Sequence, residues 1–259
     1  MANPFDLAGK VALITGANSG IGFGYAEAIA RAGGDVVVWG RRAERNREAV
    51  DRLAEHGTRV IAQQVDVADE QAQVAAFAAA AAEMGHLDCA IANAGQVTLA
   101  PVVDMSLQEY EDLQRVAQGG AFVTLREGAR QMVRQVEAGG PPGSLIATGS
   151  LTNFTAIWGL AHYAAAKSAV AGVIRTLALE LGPQGIRANM VCAGLIETEM
   201  VPFDNDHEMG REAAAKIPLG RMGKPQDLAG IVVYLMSDAS RYHSGDVITV
   251  DGGRSINGM

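Results

Sequence analysis

Tyr163 and Lys167 are separated by three alanines in Tyr163-Ala-Ala-Ala-Lys167, inside a stretch, 162–181, whose apolar spacing predicts a long helix. At that spacing the two side chains share one helix face. A nearby ammonium favours phenolate and typically lowers an acid's pKa by about 1–3. A phenol that starts near about 10 then becomes a usable general acid or base. Ser150 follows a predicted strand, 144–149, where its hydroxyl would orient a carbonyl oxygen that the tyrosine protonates. Alone, Y-x-x-x-K is more often a surface helix pair, so its meaning depends on the company it keeps.

That company is the stretch KVALITGANSGIGFG, residues 10–24. Val11 to Ile14 read as a buried strand, and a helix begins near Ile21. The turn between them holds Gly16, Asn18, Ser19, Gly20, Ile21 and Gly22. Backbone N–H groups at a helix start are unpaired, and the helix dipole adds partial positive charge there. Glycines allow the tight turn, the approach of a pyrophosphate and close helix-on-strand packing. The spacing is G-x-x-x-G-x-G rather than the commoner G-x-G-x-x-G.

The elements that must position these groups alternate along the chain. Strands are predicted at 35–39, 59–65, 87–92, 144–149, 187–192 and 246–250, with helices at 43–56, 69–84, 106–137, 162–181 and 225–237. Asp69 and Ser106 are the expected N-caps, and Gly119-Gly120 interrupts the long helix. This is the pattern of an α/β, doubly wound parallel sheet in a single domain spanning 1–259, with ligands at the carboxyl ends of the strands. The stretch 195–219 has weak periodicity and reads as a mobile substrate lid.

Bulk properties narrow the classes. The 259 residues carry a net charge of −8, which argues against general nucleic-acid binding. Cys89 and Cys192 fall in apolar runs, as reduced, buried thiols of a cytoplasmic protein would. The five histidines lack ligand spacing, so no metal is expected. No apolar run is long enough to span a bilayer.

With these motifs in place, the chain resembles the short-chain dehydrogenase/reductase family over nearly its whole length. The resemblance rests on Thr15–Gly22, Asp66-Val67, Asn93-Ala94-Gly95, Ser150 with Tyr163 and Lys167, Gly194-x-x-x-Thr198 and Asp251-Gly252-Gly253. It implies Tyr163 as general acid/base, Lys167 on the nicotinamide ribose and tuning the tyrosine, and Ser150 on the substrate oxygen. It also implies Asp66 against the adenine, Asn93 supporting the central strand and cofactor, and Ile196 and Thr198 on the nicotinamide carboxamide. The remaining motif residues, Val67 and Gly95 among them, would line the cofactor. The implied reaction is reversible hydride transfer between a nicotinamide and a carbonyl or alcohol carbon.

Three departures stand out. Ala117 occupies the position where the family usually has an Asn that helps relay protons, so an altered relay is expected, through backbone and water or through Gln118. Ala193 replaces a usual Pro, and Gly149 precedes Ser150 where a second Ser is common.

The second predicted strand ends at Gly40, where an acidic residue would select NAD. Arg41, Arg42 and Arg45 follow, and a guanidinium fork matches a phosphate, so NADP(H) is expected over NAD(H). Phe154, Ile157, Trp158 and Leu160, with Gln96 and with Met200, Val201 and Phe203 of the lid, are expected to form an apolar substrate pocket suited to a hydrophobic ketone or alcohol. Surplus apolar residues on 162–181 (Val170, Val173, Ile174, Leu177, Leu179, Leu181) point to a homodimer or homotetramer. The rival reading is a catalytically silent dinucleotide-binding sensor or scaffold. An enoyl reductase or sugar epimerase usually differs in Tyr–Lys spacing or in its glycine pattern.

Overall fold

A computed structural model describes residues 3–201 and 203–257. Position 202, within the expected lid, lies outside the described residues. The strands are β1 (Val11–Thr15), β2 (Asp35–Gly40), β3 (Val60–Gln64), β4 (Cys89–Ala92), β5 (Ser144–Ser150), β6 (Arg187–Ala193) and β7 (Val247–Val250). The α-helices are α1 (Gly20–Arg31), α2 (Ala43–Ala54), α3 (Glu70–Met84), α4 (Leu107–Gln114), α5 (Ala121–Glu137), α6 (Ala161–Leu181), α7 (Glu208–Ala214) and α8 (Ala229–Met236). The strands form one parallel sheet in the order β3-β2-β1-β4-β5-β6-β7.

The central strands are apolar without alternation because both faces are covered. Leu13, Val37, Ala90, Leu145 and Met190 face one layer, against Phe77 of α3, Leu125 and Met132 of α5 and Ile174 of α6. Ile14, Val36, Ile91, Ile146 and Val191 face the other, against Ile29 of α1, Leu53 of α2 and Leu235 of α8. The strand order reverses between β1 and β4, where Ala12 pairs with Cys89 and Ile14 with Ile91. The crevice beyond the carboxyl ends of those two strands is where such sheets bind ligands.

Both expected caps form. The Asp69 carboxylate accepts from Ala72 N at 3.0 Å. Ser106 and Glu109 make a reciprocal capping box. The interruption at Gly119-Gly120 is a π-helical turn, Arg115–Gly120, which joins α4 to α5. A Cβ on Gly120 would sit 2.8 Å from the Val67 carbonyl oxygen, so the widened turn presses onto the loop that follows β3.

The stretch 195–219, expected as a mobile lid of weak periodicity, contains α7, too short to show a clear apolar period. Its stem is tied to the body by an Ile196–Gly223 bridge. The apolar surplus on α6 is mostly spent within the chain. Val170 and Ile174 are buried in the core, and Val173, Leu177 and Leu181 pack against it, leaving Leu179 exposed.

Candidate active site

The glycine turn has the geometry of an anion cradle. Gly16 and Gly20 adopt φ of +67° and +53°, values that L side chains rarely take. A Cβ on Gly22 would lie 2.2 Å from Gly16 O and 2.5 Å from Asn93 Nδ2, so only glycine lets α1 come this close. Ser19 stands at the N-cap of α1 but its side chain caps nothing, leaving the first-turn N–H groups for an external acceptor. Thr15 Oγ1 accepts from Asn93 N and Ala94 N, both at 2.9 Å, locking β1 to the end of β4. The residues present therefore fit a pyrophosphate.

Asn93 continues this network. Its Nδ2 donates to Thr15 O at 3.0 Å, and its Oδ1 accepts from Thr148 Oγ1 at 3.1 Å. The Thr148 carbonyl accepts from Lys167 Nζ at 2.8 Å. Lys167 is buried, and its Nζ is 5.6 Å from the Tyr163 ring centroid. Desolvation lowers its pKa to about 8.

Tyr163 itself is half-buried. Burial raises its pKa, opposed by the nearby Ser150 hydroxyl. This corrects the sequence expectation of a lowered value: desolvation dominates, so the phenol sits above its ordinary pKa.

Sequence reasoning missed Asn153. Its Nδ2 donates to the Lys167 carbonyl at 2.9 Å, while its Oδ1 accepts from Ser150 N at 3.1 Å. It thereby fixes the strand end that carries Ser150 against the helix that carries Tyr163 and Lys167. Asn is a usual turn residue, so position alone gave no signal.

Asn18 donates to Asn46 Oδ1 at 2.7 Å, and Asn46 Nδ2 donates to Gly40 O and Gln63 O. A Cβ on Gly40 would meet Asn18 Nδ2 at 2.2 Å and Asn46 Oδ1 at 2.4 Å. The end of β2 therefore has no room for an acidic side chain. Arg41 and Arg42 are exposed beside it. Arg45 hydrogen-bonds Glu199, and Arg42 lies 3.7 Å from the same carboxylate. Asp66 is exposed, Val67 buried, and a Cβ on Gly95 would be 4.0 Å from Lys167 Nζ.

Ile196 is buried, and a Cβ on Gly20 would lie 3.2 Å from Thr198 Cγ2, so the start of the 195–219 stretch rests on the glycine turn. Gln96 is half-buried. Phe154, Ile157 and Met200 are exposed, and Trp158 is 74% exposed. Phe203 is half-buried and stacks on His207. Phe154, Ile157, Trp158 and Met200 thus lie at the surface, while Leu160 beside them is buried.

Ala117 is buried against Leu113, Ala166 and Tyr163. Gln118 instead faces solvent, lining a hollow of about 650 Å³ with Gln108, Glu111 and Arg115. The helix turns it away from Lys167, so it does not replace the missing amide. Close by, His162 is fully buried. Its Nε2 is 2.8 Å from Thr98 Oγ1, and its carbonyl accepts from Gln114 Nε2 at 2.7 Å.

A family model described as Enoyl-(Acyl carrier protein) reductase matches residues 16–255. The L-rhamnose 1-dehydrogenase (NAD(P)(+)) of Sphingomonas sp. is 36% identical over 253 residues, covering 97% of this chain and 98% of that one. A short-chain type dehydrogenase/reductase from Mycobacterium marinum superposes with a TM-score of 0.90 at 36% identity, covering 97% of both chains. A gluconate 5-dehydrogenase from Burkholderia cenocepacia J2315, solved with NADP and tartrate, superposes with a TM-score of 0.91 at 30% identity, covering 98% of both.

Proposed function

Because the chain belongs to the short-chain dehydrogenase/reductase family, we propose that it transfers a hydride between NADP(H) and a carbonyl or secondary alcohol borne on a largely apolar molecule. The observation that carries this reading is the continuous hydrogen-bonded set Ser150–Asn153–Lys167–Thr148–Asn93, with Tyr163 against its Ser150 end and the glycine turn against its Asn93 end.

The turn from Gly16 to Gly22, with Asn18, Ser19 and Ile21, would hold the pyrophosphate. Arg41, Arg42 and Arg45 would take the 2′-phosphate, and Asp66 and Val67 the adenine end. Asn93, Gly95 and Lys167 would flank the nicotinamide ribose, and Ile196 and Thr198 the carboxamide. When bound, the nicotinamide gives or takes the hydride.

In the reducing direction Ser150 Oγ orients the substrate oxygen, and the protonated Tyr163 phenol donates its proton as negative charge develops there. The Lys167 ammonium stabilises the resulting phenolate, which recovers a proton from solvent. The four-residue Tyr–Lys spacing favours this carbonyl chemistry over enoyl reduction. Exposed Phe154, Ile157, Trp158 and Met200 favour an apolar substrate. The lid would be the segment 195–219. Buried free Cys89 and Cys192 favour a reducing, cytoplasmic setting. Leu107, Phe122 and Leu179, exposed on α4, α5 and α6, favour a homodimer or homotetramer.

The test is a panel of hydrophobic ketones, polar keto-sugars and sugar acids, each assayed with NADPH and NADH, with Tyr163→Phe as control. Turnover of the hydrophobic members with NADPH, abolished in Tyr163→Phe, is expected. Turnover confined to sugar acids would replace the apolar substrate. NADPH binding without any turnover would replace the enzyme by a dinucleotide-binding sensor.

A further inference from the structure

Glu199 is the exposed residue immediately after Thr198, and its carboxylate reaches across the mouth of the crevice to the start of α2. It hydrogen-bonds Arg45 and lies 3.7 Å from Arg42. Residues 45 and 199 are far apart in the chain, so this ion pair is a deliberate bridge between the lid stem and the end of β2. Its two anchors are independently placed. Asn46, one residue from Arg45, is buried and bonded to Gly40 O and Gln63 O, which fixes the start of α2. Glu197 holds Asn205 N at 2.9 Å and its N donates to Gly223 O at 2.9 Å, which fixes the stem. Thr198 between them lies against Gly20.

We propose that Glu199 is a specificity-determining residue that occupies, in the free protein, the guanidinium groups a 2′-phosphate would need. This rests on the assignment of Arg42 and Arg45 to that phosphate. A dianionic phosphate and a carboxylate cannot both be satisfied by the same two cations at close range. A 2′-phosphorylated dinucleotide must therefore displace Glu199 from Arg42 and Arg45, whereas a dinucleotide with a free 2′-hydroxyl leaves the pair intact. Glu199 thus narrows the margin by which the arginines favour the phosphorylated cofactor. It also makes the lid stem respond to one cofactor and not to the other. The Arg45 hydrogen bond holds the Glu199 carboxyl below the usual carboxylate range, so the competing charge is present at neutral pH.

The experiment compares wild type, Glu199→Gln, Arg45→Ala and the double variant, measuring dissociation constants for NADPH, NADH and the nicotinamide-free 2′,5′-ADP by calorimetry at low salt. Glu199→Gln is expected to tighten NADPH and 2′,5′-ADP by roughly two- to five-fold, the range an exposed ion pair commands, and to leave NADH unchanged. The gain should shrink in the Arg45→Ala background, where only Arg42 still faces Glu199, and shrink at high salt. Equal tightening of NADH and NADPH, or no change in 2′,5′-ADP, overturns the role of Glu199 while leaving the cofactor assignment intact. Failure of that assignment is separate: wild type would bind NADH as well as NADPH, and Arg45→Ala would not weaken 2′,5′-ADP.

Discussion

The Nζ of Lys167 donates to the carbonyl oxygen of Thr148 at 2.8 Å. The Thr148 hydroxyl donates in turn to Asn93, which reaches Thr15 beside the glycine turn. The Asn93 side chain thus joins the ends of β1, β4 and β5, so the residue that holds the buried ammonium is tied to the turn that shapes the anion cradle. Asn93→Ala removes two of these bonds and leaves buried partners unmet. It is expected to cost about 1–3 kcal/mol in urea unfolding. It should also lower kcat by roughly ten-fold or more, part of the 10²–10⁴ that a positioned acid or base supplies. Full activity in a folded Asn93→Ala would separate the cradle from the role proposed for Lys167.

The two titrating groups predict opposite pH dependences for the two directions. Burial holds Tyr163 protonated through neutral pH, and Lys167 remains charged below its pKa of about 8. On the proposed mechanism carbonyl reduction uses the protonated phenol, so kcat/KM should be flat at neutral pH and fall above about 8 as the ammonium is lost. Alcohol oxidation uses the phenolate, so its rate should rise with pH, by up to about ten-fold per pH unit while the phenol remains mostly protonated. Lys167→Met should erase the inflection near 8 in the reduction profile. A reduction rate unchanged to pH 10 in wild type would remove Tyr163 and Lys167 from the proton path.

The sheet, the glycine turn and the Ser150–Tyr163–Lys167 set were legible because their signals are local. A buried parallel strand is a short apolar run, a cradle is a glycine spacing, and i,i+4 places Tyr163 beside Lys167. What the sequence left out are side-chain contacts that only the folded backbone brings together. Asn153 joins Ser150 to the Lys167 carbonyl, Asn46 fills the space over Gly40, and Glu199 meets Arg45, none of which leaves a mark in the neighbouring sequence. The same holds for charge: spacing showed the ammonium near the phenol, while the burial that dominates Tyr163 is a property of the packed helix. Gly119-Gly120 announced an irregularity, but only the fold shows a π turn that carries Gln118 outward.

Gly40 offers a direct test of the nicotinamide preference. The simplest change toward NAD would be Gly40→Asp, which supplies a carboxylate for a ribose hydroxyl. Here its Cβ would fall 2.2 Å from Asn18 Nδ2 and 2.4 Å from Asn46 Oδ1, inside their hydrogen bond. The substitution is expected to destabilise by about 1–3 kcal/mol, as overpacking does. It should weaken NADPH binding without a matching gain for NADH. Adding Asn46→Ala releases Asn18 to move aside and should raise NADH affinity, but it leaves Gly40 O and Gln63 O without their donor, so no stability is recovered. A clean switch to NADH in the single variant would show that the Asn18–Asn46 pair yields freely.

His162 should make stability depend on pH beside the active site. It is fully buried next to Tyr163, against Thr98 and Gln114, with Glu109 the acidic group acting on it from α4. Burial lowers its pKa, and Glu109 offsets this only in part. The unfolded chain therefore takes up a proton, near about pH 6.5, that the folded chain refuses. Stability is complete above that pH and falls as pH drops toward the folded pKa, by up to about 1.4 kcal/mol per pH unit. Glu109→Gln removes the offset and should steepen the loss, whereas His162→Gln removes the titrating ring and should flatten it. Urea midpoints at pH 5, 6, 7 and 8 for the three proteins measure this, and because the other histidines are common to all, the differences isolate His162. Equal pH slopes in wild type and His162→Gln would mean that the ring titrates as freely in the folded chain as in the unfolded one.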